Sequence, residues 1–540
     1  MTGMRGDSGA LDAVVVGGGH NGLAAAAYLA RAGLRTRVLE RRPLLGGACV
    51  TEELWPGFHV SRAAYVAGLL RPALVRELEL ERHGLRLLRR DPSSFSPLPD
   101  GRSLLLGSDP AANRTEIGRF SKRDAARYPD YEAFLDQVAR ALEPLLDARP
   151  PDTGRPRLRE LGPLLRSGLR LLALRRELPA ALGLLLGPAR PALESWFESE
   201  PLRATLATDA VIGAWASPAS PGTGYVLFHH VMGETGGQRG VWAYVAGGMG
   251  ALSESLAAAA RAAGAELERD APVARILLRD GRAVGVELED GRTIEARFVL
   301  SSADPHHTFL GLVGSEALPP EFARAIESLD FRSPSLKLNL ALERLPDFTS
   351  RPGAAGPHHR GTIHVGAMDL DALEESFSAA QAGRLPEQPM VELTLPSVLD
   401  PDLAPPGKHV ASLFVQHVPW EPRGGGWSVA REPFADRVLA LVDQVAPGFS
   451  ASVLHREVLA PPDLERIFGL TGGNIFHGAM TLDRLFLLRP VPGAGRYATP
   501  IPGLYLCGAG AHPGGGVMGA CGRNAAAALL ADRQLTGQSL

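Results

Sequence analysis

The chain has 540 residues, with 56 lysines and arginines against 59 aspartates and glutamates and a net charge of −3. That balance argues against nucleic acid as a partner. Three cysteines are too few for a disulfide framework and suit a reducing, cytoplasmic setting, and no apolar run approaches the roughly 20 residues of a membrane span.

The length suits two domains with sizeable cores. Residues 1–11 contain glycine and lack an apolar core, so no secretory signal is expected. Basic charge is nearly all arginine, with only Lys122, Lys337 and Lys408 as lysine. Together with abundant alanine, leucine, glycine and proline, this suggests a GC-rich bacterial genome.

An apolar run from Ala13 to Val16 stops at Gly17, Gly19 and Gly22, spaced G-x-G-x-x-G around His20 and Asn21. A helical segment from Leu23 to Ala32 follows, then Gly33 and a second apolar run ending on Glu40. This predicts a βαβ unit whose first turn approaches a dinucleotide pyrophosphate. Gly17 would permit the tight turn, Gly19 the close approach and Gly22 the helix–strand contact. The helix N-terminus would offer free N–H groups to the phosphates, and Glu40 could accept the hydrogen bonds of the adenosine ribose. Arg41 and the pair Gly46–Gly47, followed by Ala48, come next. Alone the glycine pair is an ordinary turn. Beside the βαβ unit it reads as a loop against the pyrophosphate and ribityl chain, which points to FAD rather than NAD.

Residues 124–147 are predicted to be a helix. From Arg157 to Phe197 the chain is rich in leucine and arginine and broken by prolines, which predicts short amphipathic helices. They would form a helical layer on the protein's own core, cap an apolar pocket, or make peripheral membrane contact. Gly247–Gly248 opens a helix over 251–263. Strands are predicted at 265–267, 273–278, 284–288 and 293–301, divided by the hairpin signals Asp280-Gly281 and Asp290-Gly291. Val273 lies where the chain would pass the adenine, or is a plain strand valine. Strands at 336–342, 362–365, 390–395 and 409–416 predict a mixed sheet flooring a pocket. In the first, alternation puts Lys337 and Asn339 on the face opposite Leu336, Leu338, Leu340 and Leu342. Lys337 then faces either solvent or a site.

Near the end, a strand from Gly503 runs into Gly508, Ala509 and Gly510. A glycine loop through His512, Val517 and Met518 follows, then an alanine-rich helix over 523–531. Such a loop can bring backbone N–H groups to a flavin, where they would stabilise the reduced ring. His512 within it would suit proton transfer or act as a hydrogen-bonding scaffold. Of the neighbours His229 and His230, a helix would not turn both to one side. No metal-ligand spacing and no P-loop occur, so no metal is expected.

These blocks together resemble the phytoene desaturase and carotenoid isomerase branch of the flavin amine oxidase superfamily. The tail Gly503–Gly519, the motif Gly472–Gly478 and the strand Ser335–Asn339 are similar above all to the branch of pyridine nucleotide-disulfide oxidoreductase domain-containing protein 2. The resemblance implies an α/β fold: a discontinuous Rossmann-like FAD-binding domain (11–100, 240–310 and 495–540) with an inserted α+β substrate domain of mixed sheet and helices (101–239 and 311–494). It implies non-covalent FAD and hydride transfer, desaturation or dehydrogenation, on an apolar small molecule of isoprenoid or polyene type. Isomerase and amine oxidase activities are the alternatives, as is a non-catalytic binder of prenylated proteins on the same fold. Flavin amine oxidases carry a strand lysine that holds a water near flavin N5, and by motif that residue is Lys337. Dithiol chemistry is not expected, because Cys49 has Leu54 where its partner should stand and no C-x-x-C occurs.

Overall fold

The computed structural model describes residues 11–152, 158–235, 238–353 and 355–535. The expected lack of a secretory signal concerns residues mostly outside these. So do position 157, where the leucine–arginine stretch begins, and 536–540 of the last cofactor-domain segment.

One sheet is assembled from distant parts of the chain. Glu266–Glu268, Thr36–Leu39, Leu11–Val16, Thr293–Ser301 and Leu504–Leu506 run parallel in that order. Thr293–Ser301 divides one edge between partners: residues 299–301 take Leu504–Leu506, and 293–295 take the antiparallel strand Arg282–Leu288. Every one of these strands falls within 11–100, 240–310 or 495–540. Ala13, Val14 and Val15 are fully buried, which explains why the first strand is continuously apolar: both faces are covered.

Helix His20–Arg31 lies against the helices Met249–Ala262 and Ala520–Leu535. Its run Ala24–Ala27 is fully buried, because only small side chains let three helices approach so closely. At Gly522 a Cβ atom would stand 2.0 Å from the carbonyl oxygen of Asn21.

The second sheet has the strand order Val453–Leu459, Ser335–Leu342, His409–Gln416, Met390–Thr394, Thr362–Gly366, Ser94–Pro97, Ser103–Leu106. It is mixed, since Thr362–Gly366 and Ser94–Pro97 pair in parallel and the rest antiparallel. The strands at 94–97 and 103–106 straddle residue 100 yet pair with each other here, so the first stretch of the cofactor sheet stops before them. Leu336, Leu338, Leu340 and Leu342 share a core with Phe434, Val438 and Val442 of helix Gly426–Asp443. Helices Lys122–Leu146, Leu178–Leu186, Ala189–Trp196, Glu200–Val211 and Thr223–Val231 form the helical layer, around a separate apolar cluster.

Candidate functional site

A cavity of about 330 Å³ runs from the first glycine turn to the second sheet. Gly17, Gly19, His20, Asn21, Glu40, Arg41, Gly46, Gly47, Ala48 and Val273 line one end; Ala509, Gly516, Val517 and Lys337 line the other.

The turn has the geometry its glycines require. Gly17 has φ +90°, and a Cβ there would lie 2.5 Å from Ser302 Oγ. Ser302 in turn donates to the carbonyls of Val16 and Gly17 at 3.0 and 2.9 Å. Gly22 lies behind the cavity wall, where a Cβ would come within 2.2 Å of Gly17 O; its part is to bring helix and turn together. Gly19 and Gly46 form an isolated bridge, and Gly46 N donates to Gly18 O at 2.8 Å. The second glycine loop is thereby held against the first.

Glu40 is buried and accepts from Gly18 N at 2.8 Å and Arg42 N at 2.9 Å. Each carboxylate oxygen keeps a further lone pair for a ribose hydroxyl. Arg41 donates to Ile467 O at 3.0 Å, tying the loop to the 461–468 helix.

Several observations fit this end to a dinucleotide. No side chain caps the helix at Gly19, and its first turn carries no acid, so its leading N–H groups are open to an anion. Asn21 Oδ1 is buried without a hydrogen-bond partner, an orphan that a ligand donor would satisfy. Burial, with the neighbouring His477, pulls His20 down to about 4, so its ring is neutral beside the turn.

At the other end, Arg489 sets the loop. Its guanidinium is 2% exposed and donates to Ala509 O, Phe476 O (2.6 Å) and Ala479 O (3.2 Å). One buried side chain thus joins the Gly472–Gly478 motif to the Gly508–Gly519 loop. Gly508 and Met518, expected at the cofactor, stand behind the wall. A Cβ on Gly508 would meet Ser302 O at 2.3 Å, and Met518 clusters with Leu69 and Ala520.

His512 does not line the cavity, which corrects its expected role in proton transfer. Its Nε2 bonds to Leu145 O at 2.7 Å and its ring meets Phe486 edge-on. The carbonyl of Leu145, in the last turn of its helix, draws the ring away from the cavity while also accepting from Ala148 N at 3.3 Å. Of the histidine pair, His230 lines the cavity and stacks on Trp242, while His229 bonds to Gly515 O at 3.0 Å.

Lys337 does not face solvent. It is 2% exposed, donates to Ser412 Oγ, and its Nζ sits 4.0 Å from the centroid of the Tyr65 ring. Burial pulls its pKa down to about 7, opposed by the charges of Glu457 and Glu392. Strand register places Lys337 opposite Phe414, Phe414 opposite Glu392, and Glu392 opposite His364. Directly opposed residues share a face, so these four form one row across four strands. Tyr65, whose hydroxyl donates to Glu392 Oε2 at 2.6 Å, closes over it.

Sequence reasoning missed Tyr65, Ser302, Trp242, Phe414 and Arg489. None belongs to a spaced motif, although Arg489 stands out afterwards as a cation followed by proline between two glycine motifs. Cys49 lines the cavity with its thiol pushed up to about 12 by burial, and all three cysteines are free and buried. Among the described residues no His, Cys, Asp and Glu cluster could hold a metal ion, and no helix is long and apolar enough to cross a membrane.

The model of flavin-containing amine oxidoreductases matches residues 22–530. The chain belongs to that family. Over 96% of its length it is 51% identical to pyridine nucleotide-disulfide oxidoreductase domain-containing protein 2 of Mus musculus, covering 93% of that protein. It is 30% identical to hydroxyneurosporene desaturase of Cereibacter sphaeroides, over 96% of this chain and 97% of that one. Among solved structures, a putrescine oxidase variant superposes with a TM-score of 0.59 at 16% identity, over 97% of this chain and 99% of the other. The chain is therefore a flavin-dependent oxidoreductase whose cofactor is FAD. A mammalian relative at this identity gives no support to the bacterial source suggested by the arginine-rich composition.

Proposed function

We propose that this family member is an FAD-dependent dehydrogenase of the phytoene desaturase type, removing hydride from a carbon of a small molecule that lies largely against apolar walls. FAD supplies the two-electron, hydride-accepting chemistry. The observation that carries the reading is that Lys337 and both glycine loops line one cavity. Its walls beside Lys337 include Val66, Leu69, Ile212, Leu336, Phe414 and Ile475. These residues exclude water and orient an apolar segment. Lys337, with a pKa near neutrality, can take or release a proton at Nζ without leaving its place over Tyr65.

The test is anaerobic mixing of the purified yellow protein with polyene, isoprenoid, amine and alcohol compounds. Dehydrogenation predicts bleaching of the flavin band near ~450 nm with an equivalent of desaturated product. Product formation with the band unchanged would favour isomerisation, and bleaching by amines alone would favour amine oxidation. Protein that is colourless and cannot be reconstituted with FAD would favour a non-catalytic binder of prenylated partners.

A membrane-surface contact is also proposed, because helix Leu158–Ala173 exposes Leu165, Leu169 and Leu172 at i, i+4 and i+7, each above 60%. Arg166, Arg170, Arg175 and Arg176 are exposed beside them. An apolar stripe flanked by cations suits an anionic bilayer surface. The three unpaired cysteines are in keeping with a reducing, cytoplasmic setting.

A further inference from the structure

A second cavity, of about 430 Å³, adjoins the flavin cavity and shares Tyr65, Val66, Ile212 and Trp242 with it. Its chemistry is different. Arg90, Asp209, Glu392, His364 and Ser94 all line it, and three of them carry buried polar atoms with no partner: Arg90 Nε, His364 Nδ1 and Ser94 Oγ. The carboxyl of Asp209, on helix Glu200–Val211, makes no hydrogen bond or ion pair among the described residues. Glu392 is 5% exposed and, among the described residues, accepts a hydrogen bond only from the Tyr65 hydroxyl, with the charges of Arg90 and Lys337 nearby. Arg90, 2% exposed, donates to Thr362 Oγ1 and lies over the Tyr244 ring, with no carboxylate among the described residues in ion-pair contact.

Each buried polar atom left unpaired is destabilising, because it has lost its water and gained no partner. A hydrocarbon filling this space would leave all of them unpaired and desolvate two carboxyl groups besides. An occupant with matching polarity would satisfy them together. Asp209 and Glu392 need donors, and Arg90 Nε needs an acceptor. A carboxylate with a hydroxyl or ammonium group on the next carbon presents both within one head group.

We propose that the second cavity anchors the polar end of the substrate, an α-hydroxy or α-amino acid head held by Arg90 on its carboxylate and by Asp209 and Glu392 on its donor. The tail passes Tyr65 and Trp242 into the flavin cavity. The substrate is then an amphiphilic acid rather than a hydrocarbon polyene, and the head is bound at a distance from the carbon that reacts. Burial and the nearby Glu392 hold Asp209 up to about 8, and burial raises Glu392 too. Such a carboxyl pair is poised to ionise when a cation arrives, or to keep a proton and hydrogen-bond a hydroxyl. The cross-strand row Lys337–Phe414–Glu392–His364 is the rigid floor joining the two cavities.

This rests on the oxidoreductase reading for the tail but not for the head, and the two are tested separately. The holoprotein is titrated with 2-hydroxydecanoate, 2-aminodecanoate and micellar squalene. Binding is followed by the flavin difference spectrum and by calorimetry, which needs no redox step. One of the two acids is expected to bind, and which one decides between hydroxyl and ammonium. Arg90→Met should weaken that acid at least about tenfold, with FAD content unchanged because Arg90 does not line the flavin cavity. Asp209→Asn should weaken it similarly, and FAD content reports whether each variant folds. Binding of squalene but of neither acid, binding of no probe, or an acid affinity indifferent to both substitutions overturns the proposal. Acid binding without flavin reduction by any compound would leave the anchor standing and remove the dehydrogenase reading.

Discussion

Arg489 gives two hydrogen bonds to one oxygen, the carbonyl of Ala509, from Nε at 3.2 Å and Nη2 at 2.9 Å. The cation is buried, and no carboxylate among the described residues pairs with it; only backbone carbonyls receive its protons. Arg489→Met would strand the carbonyls of Ala509, Phe476 and Ala479. At about 1 kcal/mol or more for each, a loss of several kcal/mol is expected, seen as a lower melting temperature together with early flavin release. Arg489→Lys should recover only part, because an ammonium cannot reach both loops as the planar fork does.

Glu40→Ala should weaken FAD binding by at least about tenfold. The carboxylate holds Gly18 and Arg42 through their N–H groups and keeps lone pairs for the ribose. Flavin occupancy after extensive dialysis measures this, and full retention would refute the ribose assignment.

Lys337 gives a signed pH dependence. Its folded pKa, about 7, lies below the unfolded value near 10.5, so between these pH values the unfolded chain binds the extra proton. Stability should therefore rise with pH from about 7 towards 10 as far as this residue contributes. Lys337→Met removes the buried ammonium and should stabilise the protein most below pH 7, the difference in melting temperature shrinking as pH rises. If Lys337 acts on the reaction, the same variant should also flatten any dependence of flavin reduction on a group titrating near 7. Unchanged reduction and reoxidation rates across that range would assign it to structure alone.

His512→Gln should leave the rate of anaerobic flavin reduction within about twofold of the parent and lower stability by about 1 kcal/mol, the worth of its bond to Leu145 O. A rate loss of tenfold or more in stopped-flow would restore it to the chemistry.

Leu169→Glu should abolish co-sedimentation with phosphatidylserine-containing vesicles and leave FAD content intact, since Leu169 is 68% exposed and outside both cavities. Sedimentation equal to the parent would exclude this face as the contact.

The dinucleotide end was legible because backbone constraints leave residue-type marks. Gly17 needs a positive φ, Gly22 has no room for a Cβ, and Glu40 directly follows the strand Thr36–Leu39 beside them. Strand alternation likewise put Lys337 opposite a leucine face, but could not say whether that face met water, which depends on Tyr65 arriving from another segment. Tyr65, Asp209, Glu392 and Arg90 belong to separate elements joined only by tertiary packing, so no spacing announces the polar chamber. His512 shows the opposite failure: its place in a cofactor loop was readable, but the direction of its ring depends on a carbonyl at position 145.

The strand Leu504–Leu506 and the helix behind it complete the wall that begins at residue 11. The first glycine turn meets Ser302, Glu40 and Gly46, but the sheet that carries it gains its last parallel strand only at Leu504–Leu506. Truncation before residue 504 would remove that strand, the helix behind it and the Ala509–Val517 side of the cavity, and should leave the earlier glycine turns unable to retain FAD.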